Sequence, residues 1–138
     1  MNHGLLPVLC IGETQQERAD NITQAILLTQ LSEGLNTVDL TDKDICVAYE
    51  PVWAIGTGLA ATPAMVQEVH HFIREELTQL YNAEIADRVR IVYGGSVNKT
   101  NATELLKQKD IDGLLVGGAS LDPGHFLEIC EQVSEQAM

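Results

Sequence analysis

Glu50 closes an apolar run, Ile45–Tyr49, and is followed by Pro51 and then Val-Trp-Ala-Ile-Gly-Thr-Gly, ending at Gly58. A carboxylate that a buried strand delivers to the mouth of a fold can act as a general base if a cover excludes water and raises its pKa. A lone Glu-Pro pair reads better as a solvated loop carboxylate. The residues after it favour the base, because a stretch that is apolar and then glycine-rich is what a hinged lid needs. Trp53, expected to be exposed, has little other reason to stand in a loop. Gly56-Thr-Gly58 is not a dinucleotide fingerprint, since Ala61 takes the place of the third glycine and no helix opens there.

Two further loops carry glycine pairs, Gly94-Gly95-Ser96 and Gly117-Gly118. Without a Cβ, their backbone N–H groups can come close to a ligand. Either pair alone reads as a tight turn. Two pairs in consecutive units match the phosphate site found after the last two strands of many barrels. The net charge of −12 does not oppose this, because backbone N–H groups bind phosphate without a basic side chain. The same charge argues against nucleic acid and against an anionic membrane surface, both of which need clustered Lys and Arg.

Other polar residues read as structural. His70 and His71 fall on a helix and are expected at the surface or partly packed; His3 and His125 flank elements. Arg18 and Arg74 read as helix ion-pair residues, Cys10 as a packed thiol, and Glu13 as a structural carboxylate beside a helix cap. The three widely spaced cysteines, Cys10, Cys46 and Cys130, form no Cys-x-x-Cys pair, and no signal segment is visible. Together they suggest free thiols and a cytoplasmic setting. No apolar run reaches the roughly 18 residues that a membrane span needs.

The elements that must position these residues are four short runs, Leu5–Ile11, Ile45–Tyr49, Val89–Tyr93 and Gly113–Val116. They are mostly continuous rather than alternating, which suits parallel strands covered on both faces. A helical pattern follows each. The first opens on a capping box, Thr14-Gln-Gln-Glu17, and carries Ile22, Ile26, Leu27 and Leu31. The second opens at Thr62-Pro63, with Val66, Val69, Ile73, Leu77 and Leu80 as its stripe. The third opens at Asn101-Ala-Thr-Glu104, another capping box. The fourth opens at Asp122-Pro123, with Phe126, Ile129, Cys130 and Val133 on its apolar side. The 138 residues are therefore expected to form one (βα)4 domain, residues 1–138. Four such units make either an open sheet or half of a closed eight-stranded barrel. In the barrel case the first and last strands are unpaired edges that invite another chain.

Tyr49-Glu-Pro-Val-Trp-Ala-Ile-Gly-Thr-Gly58 resembles the base-and-lid signature of the triosephosphate isomerase family. Cys10-Ile-Gly-Glu13, Tyr93-Gly-Gly-Ser-Val97 and Leu115-Val-Gly-Gly-Ala-Ser120 resemble its later strand-end motifs, in order and spacing. The resemblance covers nearly the whole chain. It implies the (βα)4 half of a TIM-type (β/α)8 barrel, strands five to eight. It also implies interconversion of dihydroxyacetone phosphate and glyceraldehyde 3-phosphate through an enediolate, without metal or cofactor.

Carried over, Glu50 is the base. Pro51, Val52, Trp53, Ala54, Ile55, Gly56, Thr57 and Gly58 form the lid, which runs on to Ala61. Gly56, Ser96, Gly117 and Gly118 bind the substrate phosphate, or a phosphate or sulfate ion in its place. Tyr93 and Ser96 hold the closed lid. Leu59 departs from the family, which often has a basic residue there. The family's Asn, Lys and His come from its first four strands, and these 138 residues begin at the fifth. The resemblance thus implies negligible activity for the chain alone, with partnership either with an amino-terminal half-barrel or, as a non-catalytic scaffold, with a second copy.

Overall fold

The computed structural model describes Met1 and residues 3–137. Its sheet is a single parallel ladder of four strands in chain order: β1 (Val8–Ile11), β2 (Cys46–Tyr49), β3 (Arg90–Tyr93) and β4 (Gly113–Leu114). Each strand is shorter than the apolar run that contains it. Leu5 and Leu6 lie outside β1 and are exposed.

Helices connect the strands. Thr14 forms the expected capping box, but that helix is brief: α1 spans Gln15–Ala19. Asn21 then takes a left-handed conformation, φ 58°, and the chain restarts as α2, Thr23–Gly34. Asn is among the few side chains that tolerate this region, which is why the break falls there. Leu27 and Leu31 are buried, whereas Ile22 is exposed. The second helix, α3 (Pro63–Leu80), opens as expected, with the Thr62 hydroxyl accepting from the Met65 N–H at 3.3 Å. Its stripe is buried from Val66 to Leu77 and reaches solvent at Leu80.

A helix absent from the sequence reading follows: α4, Ala83–Arg88, capped by the Asn82 side chain. Arg74 clasps it, donating to the Ala86 and Val89 carbonyls at 2.7 Å each and pairing with Asp112 at 2.6 Å. The expected ion-pair role of Arg74 therefore holds, and it ties the start of β3 to α3. The third expected capping box does not form. Asn101 caps nothing on α5 (Ala102–Leu106); its side chain instead accepts from the Asn98 N–H and donates to the Ser96 carbonyl. The last helix is α6, Pro123–Ala137, where the Asp122 carboxylate accepts from the His125 N–H at 2.7 Å. Only Ile129 of its apolar side is buried; Phe126, Cys130 and Val133 are exposed.

The core lies between the sheet and the helices. Val47, Tyr49, Ile91 and Tyr93 point toward the helices and are fully buried. The alternate rows point the other way, as the period of two requires. There the register aligns Val8 with Cys46 and Arg90, and Cys10 with Ala48 and Val92. Val8, Cys10 and Arg90 on this second face are exposed. The expectation of cover on both faces is therefore met on one only. Cys10 is correspondingly not the packed thiol it was expected to be.

Candidate active site

Glu50 continues the Cys46–Ala48 row one step past the end of β2, so its side chain leaves from the uncovered face at the strand mouth. Two backbone bonds fix its base: the Glu50 N–H donates to the Ile11 carbonyl at 2.8 Å, and the Gly94 N–H donates to the Tyr49 carbonyl at 2.9 Å. Neighbouring glycines make its room. A Cβ on Gly94 would stand 2.7 Å from Glu50 Oε1, and one on Gly12 would stand 1.9 Å from the Glu50 carbonyl oxygen. Gly12 was not singled out and Gly94 was read only as part of a phosphate loop, and only the packing shows that both frame the carboxylate. Gln30 of α2, also missed, holds Gly12 through a pair of side-chain bonds of 2.8 and 3.1 Å. The half-buried Glu50 lies beside Cys10. Desolvation, then the hydrogen bond and charge of Glu50, push the Cys10 thiol above its ordinary pKa.

The lid segment has a fixed root and a free tip. Pro51 and Ala54 are buried, and Val52–Ala54 forms a short 3₁₀ turn. Trp53 is half-buried rather than exposed. Its indole N–H donates to Glu13 at 3.2 Å, and the Arg18 guanidinium lies 5.5 Å from the ring centroid. Glu13 itself is fully buried. It accepts from the Tyr49 hydroxyl at 3.0 Å and pairs with Arg18 at 2.8 Å. The structural role foreseen for Glu13 and the ion pair foreseen for Arg18 thus combine into an anchor for the lid root. Burial, then the Glu13 charge, drive the Tyr49 hydroxyl far above its ordinary pKa, so it remains a donor. Beyond the root, Ile55 to Leu59 are exposed, and Gly56 and Gly58 adopt φ of 67° and 74°. A side chain would be strained at either position.

Ser96 donates to the Ala54 carbonyl at 2.8 Å, bridging the loop after β3 to the lid root. Tyr93 is buried beneath Gly95, with its hydroxyl beside the Ala61 backbone at the lid's far end but without a full hydrogen bond. The loop after β4 carries Gly117 and Gly118, and a Cβ added to either would meet nothing within 4 Å. These backbones face open space, unlike Gly12 and Gly94. One hollow of about 400 Å³ is lined by Glu50, Gly56, Ser96, Gly117 and Gly118 together. All five residues were chosen from the sequence as base or phosphate contacts.

His70 is not a surface residue. It is fully buried on α3, with Nδ1 3.0 Å from the Asp110 carbonyl and its ring edge-on to Tyr49. Burial is the main cause that lowers its pKa to about 4. It faces the core, away from the hollow. His71 is exposed and pairs with Asp110 and Glu75. The cysteines are free. No helix among the described residues is long and apolar enough to cross a membrane.

Glu50, the glycine-tipped segment after it and both glycine loops therefore line one hollow at the strand mouth. The triosephosphate isomerase family model matches residues 1–133. The chain belongs to the triosephosphate isomerase family. Its relatives include the triosephosphate isomerase of Acidithiobacillus ferrooxidans, 53% identical over 129 residues, a match covering 92% of this chain and 50% of that protein. That of Colwellia psychrerythraea is 50% identical over 131 residues, covering 94% and 51%. That of Entamoeba histolytica is 50% identical over 134 residues, covering 96% and 51%. The chain thus spans about half the length of the curated triosephosphate isomerases it matches. With four parallel strands and outer helices, it is the half-barrel of this family's fold.

Proposed function

We propose that these residues form the proton-transfer and phosphate-binding half of a triosephosphate isomerase site, inactive until a second half-barrel completes it. The observation that carries this reading is the common hollow. A carboxylate, a glycine-tipped lid and two glycine loops line it, and among the described residues no Lys, Arg or His does.

The substrate phosphate sits against the backbone N–H groups of Gly117 and Gly118, with Ser96 and the lid glycine Gly56 closing over it. This places the carbons of a triose toward Glu50, which takes a proton from one carbon and returns it to the next. Lid closure over Ile55–Gly58 shields the exchange from water. The Glu13–Trp53 anchor keeps the root in place while the tip moves. The intermediate is an enediolate, a developing oxyanion beside a carboxylate and a phosphate dianion. Preorganised donors aimed at such a charge are each worth about 3–4 kcal/mol. Among the described residues no Lys, Arg or His lines this hollow, and the glycine N–H groups serve the phosphate, so proton abstraction by Glu50 alone is uphill. The donors must come from the covering half, which in this family supplies an Asn, a Lys and a His.

The test is turnover of dihydroxyacetone phosphate by this chain alone and by this chain co-expressed with the amino-terminal half of the Acidithiobacillus ferrooxidans relative. Activity is expected only from the pair, and Glu50→Gln should abolish it. Robust turnover by the chain alone would overturn the proposal.

A further inference from the structure

Gln30 is half-buried and does not line the hollow, yet its side chain grips the backbone against which Glu50 stands. The Ile11 and Glu13 carbonyls accept from the Glu50 and Val52 N–H groups at 2.8 and 3.0 Å, so the two chains stay paired beyond β1 and β2. Successive residues of a strand turn their backbone groups to opposite edges, which sends the N–H and carbonyl of Gly12 away from β2. Both need partners there. The Gln30 amide supplies them: Oε1 accepts from the Gly12 N–H at 2.8 Å, and Nε2 donates to the Gly12 carbonyl at 3.1 Å. The side chain thus does what a residue of a neighbouring strand would do. Only a primary amide offers a carbonyl and an N–H side by side, and Asn is one methylene shorter than Gln. Helix α2 is placed for this reach. Leu27 and Leu31, on either side of Gln30 in sequence, are buried in the core. Gly34 lies one turn beyond Gln30 on the same side of the helix. A Cβ there would stand 2.9 Å from Leu9 Cδ1, so only a glycine lets the helix come this near β1.

Gly12 in turn fixes Glu50. A Cβ on Gly12 would stand 1.9 Å from the Glu50 carbonyl oxygen and 2.5 Å from its carbonyl carbon, so the two backbones are in direct contact. On the other flank, the bond from the Gly94 N–H to the Tyr49 carbonyl holds the same segment. A shift of Gly12 therefore passes to the Glu50 backbone. The second phosphate loop does not share it, since Gly117 and Gly118 follow β4, at the far end of the sheet from β1. We propose that Gln30 is a positioning residue for the base: acting through Gly12, its amide sets where the Glu50 carboxylate stands relative to a triose held at the phosphate loops. Proton abstraction requires the carboxylate within hydrogen-bond reach of the proton it takes. A misplacement of about 1 Å can lower a rate on the order of a hundredfold. Phosphate binding has no such dependence on Gln30.

This role rests on reading Glu50 as the base, and the test separates the two. Gln30→Met keeps the length and bulk of the side chain and removes both hydrogen bonds. Gln30→Asn keeps the amide and draws it back by one methylene. In the chain alone, either substitution should speed amide hydrogen exchange at Gly12 by about tenfold or more. Either should also shift the carboxyl NMR signal of Glu50, assigned by its loss in Glu50→Gln. With the amino-terminal half of the Acidithiobacillus ferrooxidans relative supplied as above, either should lower kcat on the order of ten- to a hundredfold and leave KM for dihydroxyacetone phosphate within about a factor of two. Circular dichroism melts check that each variant is folded. An unchanged kcat, or a Glu50 signal that does not move, would overturn the role of Gln30 and leave Glu50 as the base. So would a fall in kcat matched by a rise in KM and a lower melting temperature, which would make Gln30 a folding residue only. Full turnover by Glu50→Gln would overturn the base and the role of Gln30 together. If the wild-type pair is inactive, the isomerase reading falls, and the Glu50 signal alone decides whether Gln30 positions the carboxylate.

Discussion

The two faces of the sheet are built from the same four strands and reach opposite ends. Toward the helices, Val47, Tyr49, Ile91 and Tyr93 are each 0% exposed, and α2 and α3 seal over them. Toward the concavity, Val8 is 47% exposed, and Cys10 and Arg90 are also exposed. Strand alternation assigns each residue to one face or the other, and the described residues cover only one. The candidate base belongs to the unfinished face, since Glu50 extends the row of Cys46 and Ala48. The fold is therefore held on one side of the sheet, and the candidate site lies on the other. Leu5, Leu6 and the apolar side of α6 are exposed as well.

The sharpest way to break this contrast is to hollow the finished side. Ile91→Ala should lower stability by about 3–4 kcal/mol in urea unfolding, as large-to-small core substitutions do. If it costs less than 1 kcal/mol, the helix-side core is not what holds the chain together.

A comparable effect should come from acid. Unfolded, an imidazole takes up its proton as pH falls through about 6.5. Folded, His70 does so only near 4. In that window the unfolded state binds the extra proton, so stability falls with pH, by roughly 3 kcal/mol in total. The charged groups around the ring are Asp110, Asp112 and Arg74. The wild-type chain minus His70→Phe difference, followed by urea midpoints from pH 7 to 4, should show this slope. A flat difference would mean that His70 is not buried neutral.

Glu13→Gln should cost about 1–2 kcal/mol, because it removes the charge that binds Arg18 and weakens acceptance from Tyr49 and Trp53. Trp53 is the single tryptophan of the sequence, so its emission should shift red and iodide should quench it more as the lid root loosens. Unchanged emission would detach Glu13 from the lid. On the concave side, Val8→Ala should change stability by less than about 0.5 kcal/mol, as substitutions at exposed positions do. A larger loss would mean that this face is covered after all.

Much of the fold could be read in the sequence. The apolar runs located all four strands, and the Thr14 and Thr62 caps located the starts of α1 and α3. Of the site residues that line the hollow, Glu50, Gly117 and Gly118 were chosen from a carboxylate at a strand end and from a glycine pair, features set by local chemistry, and Gly56 and Ser96 from the family resemblance. The errors share one physical origin. Helix α4 was missed because its six residues carry a weak pattern, although Asn82 was a usable N-cap signal. Asn101 was read as a cap, yet a competing local bond to Asn98 claims its side chain. His70 and Cys10 were each placed wrongly because polarity gives only an average tendency to be buried. Which side of a layer is covered depends on elements distant in sequence.

What the sequence by itself determined was the order of the elements, the family, and the set of residues at the strand mouths. Those follow from periodicity and from motifs a few residues long. Only the tertiary structure decided that Glu13 anchors Trp53, that Gly12 and Gly94 make room for Glu50, and that Cys10 and Arg90 are exposed on an open face. Each depends on a contact, or on its absence, between strands some forty residues apart, which no local pattern encodes.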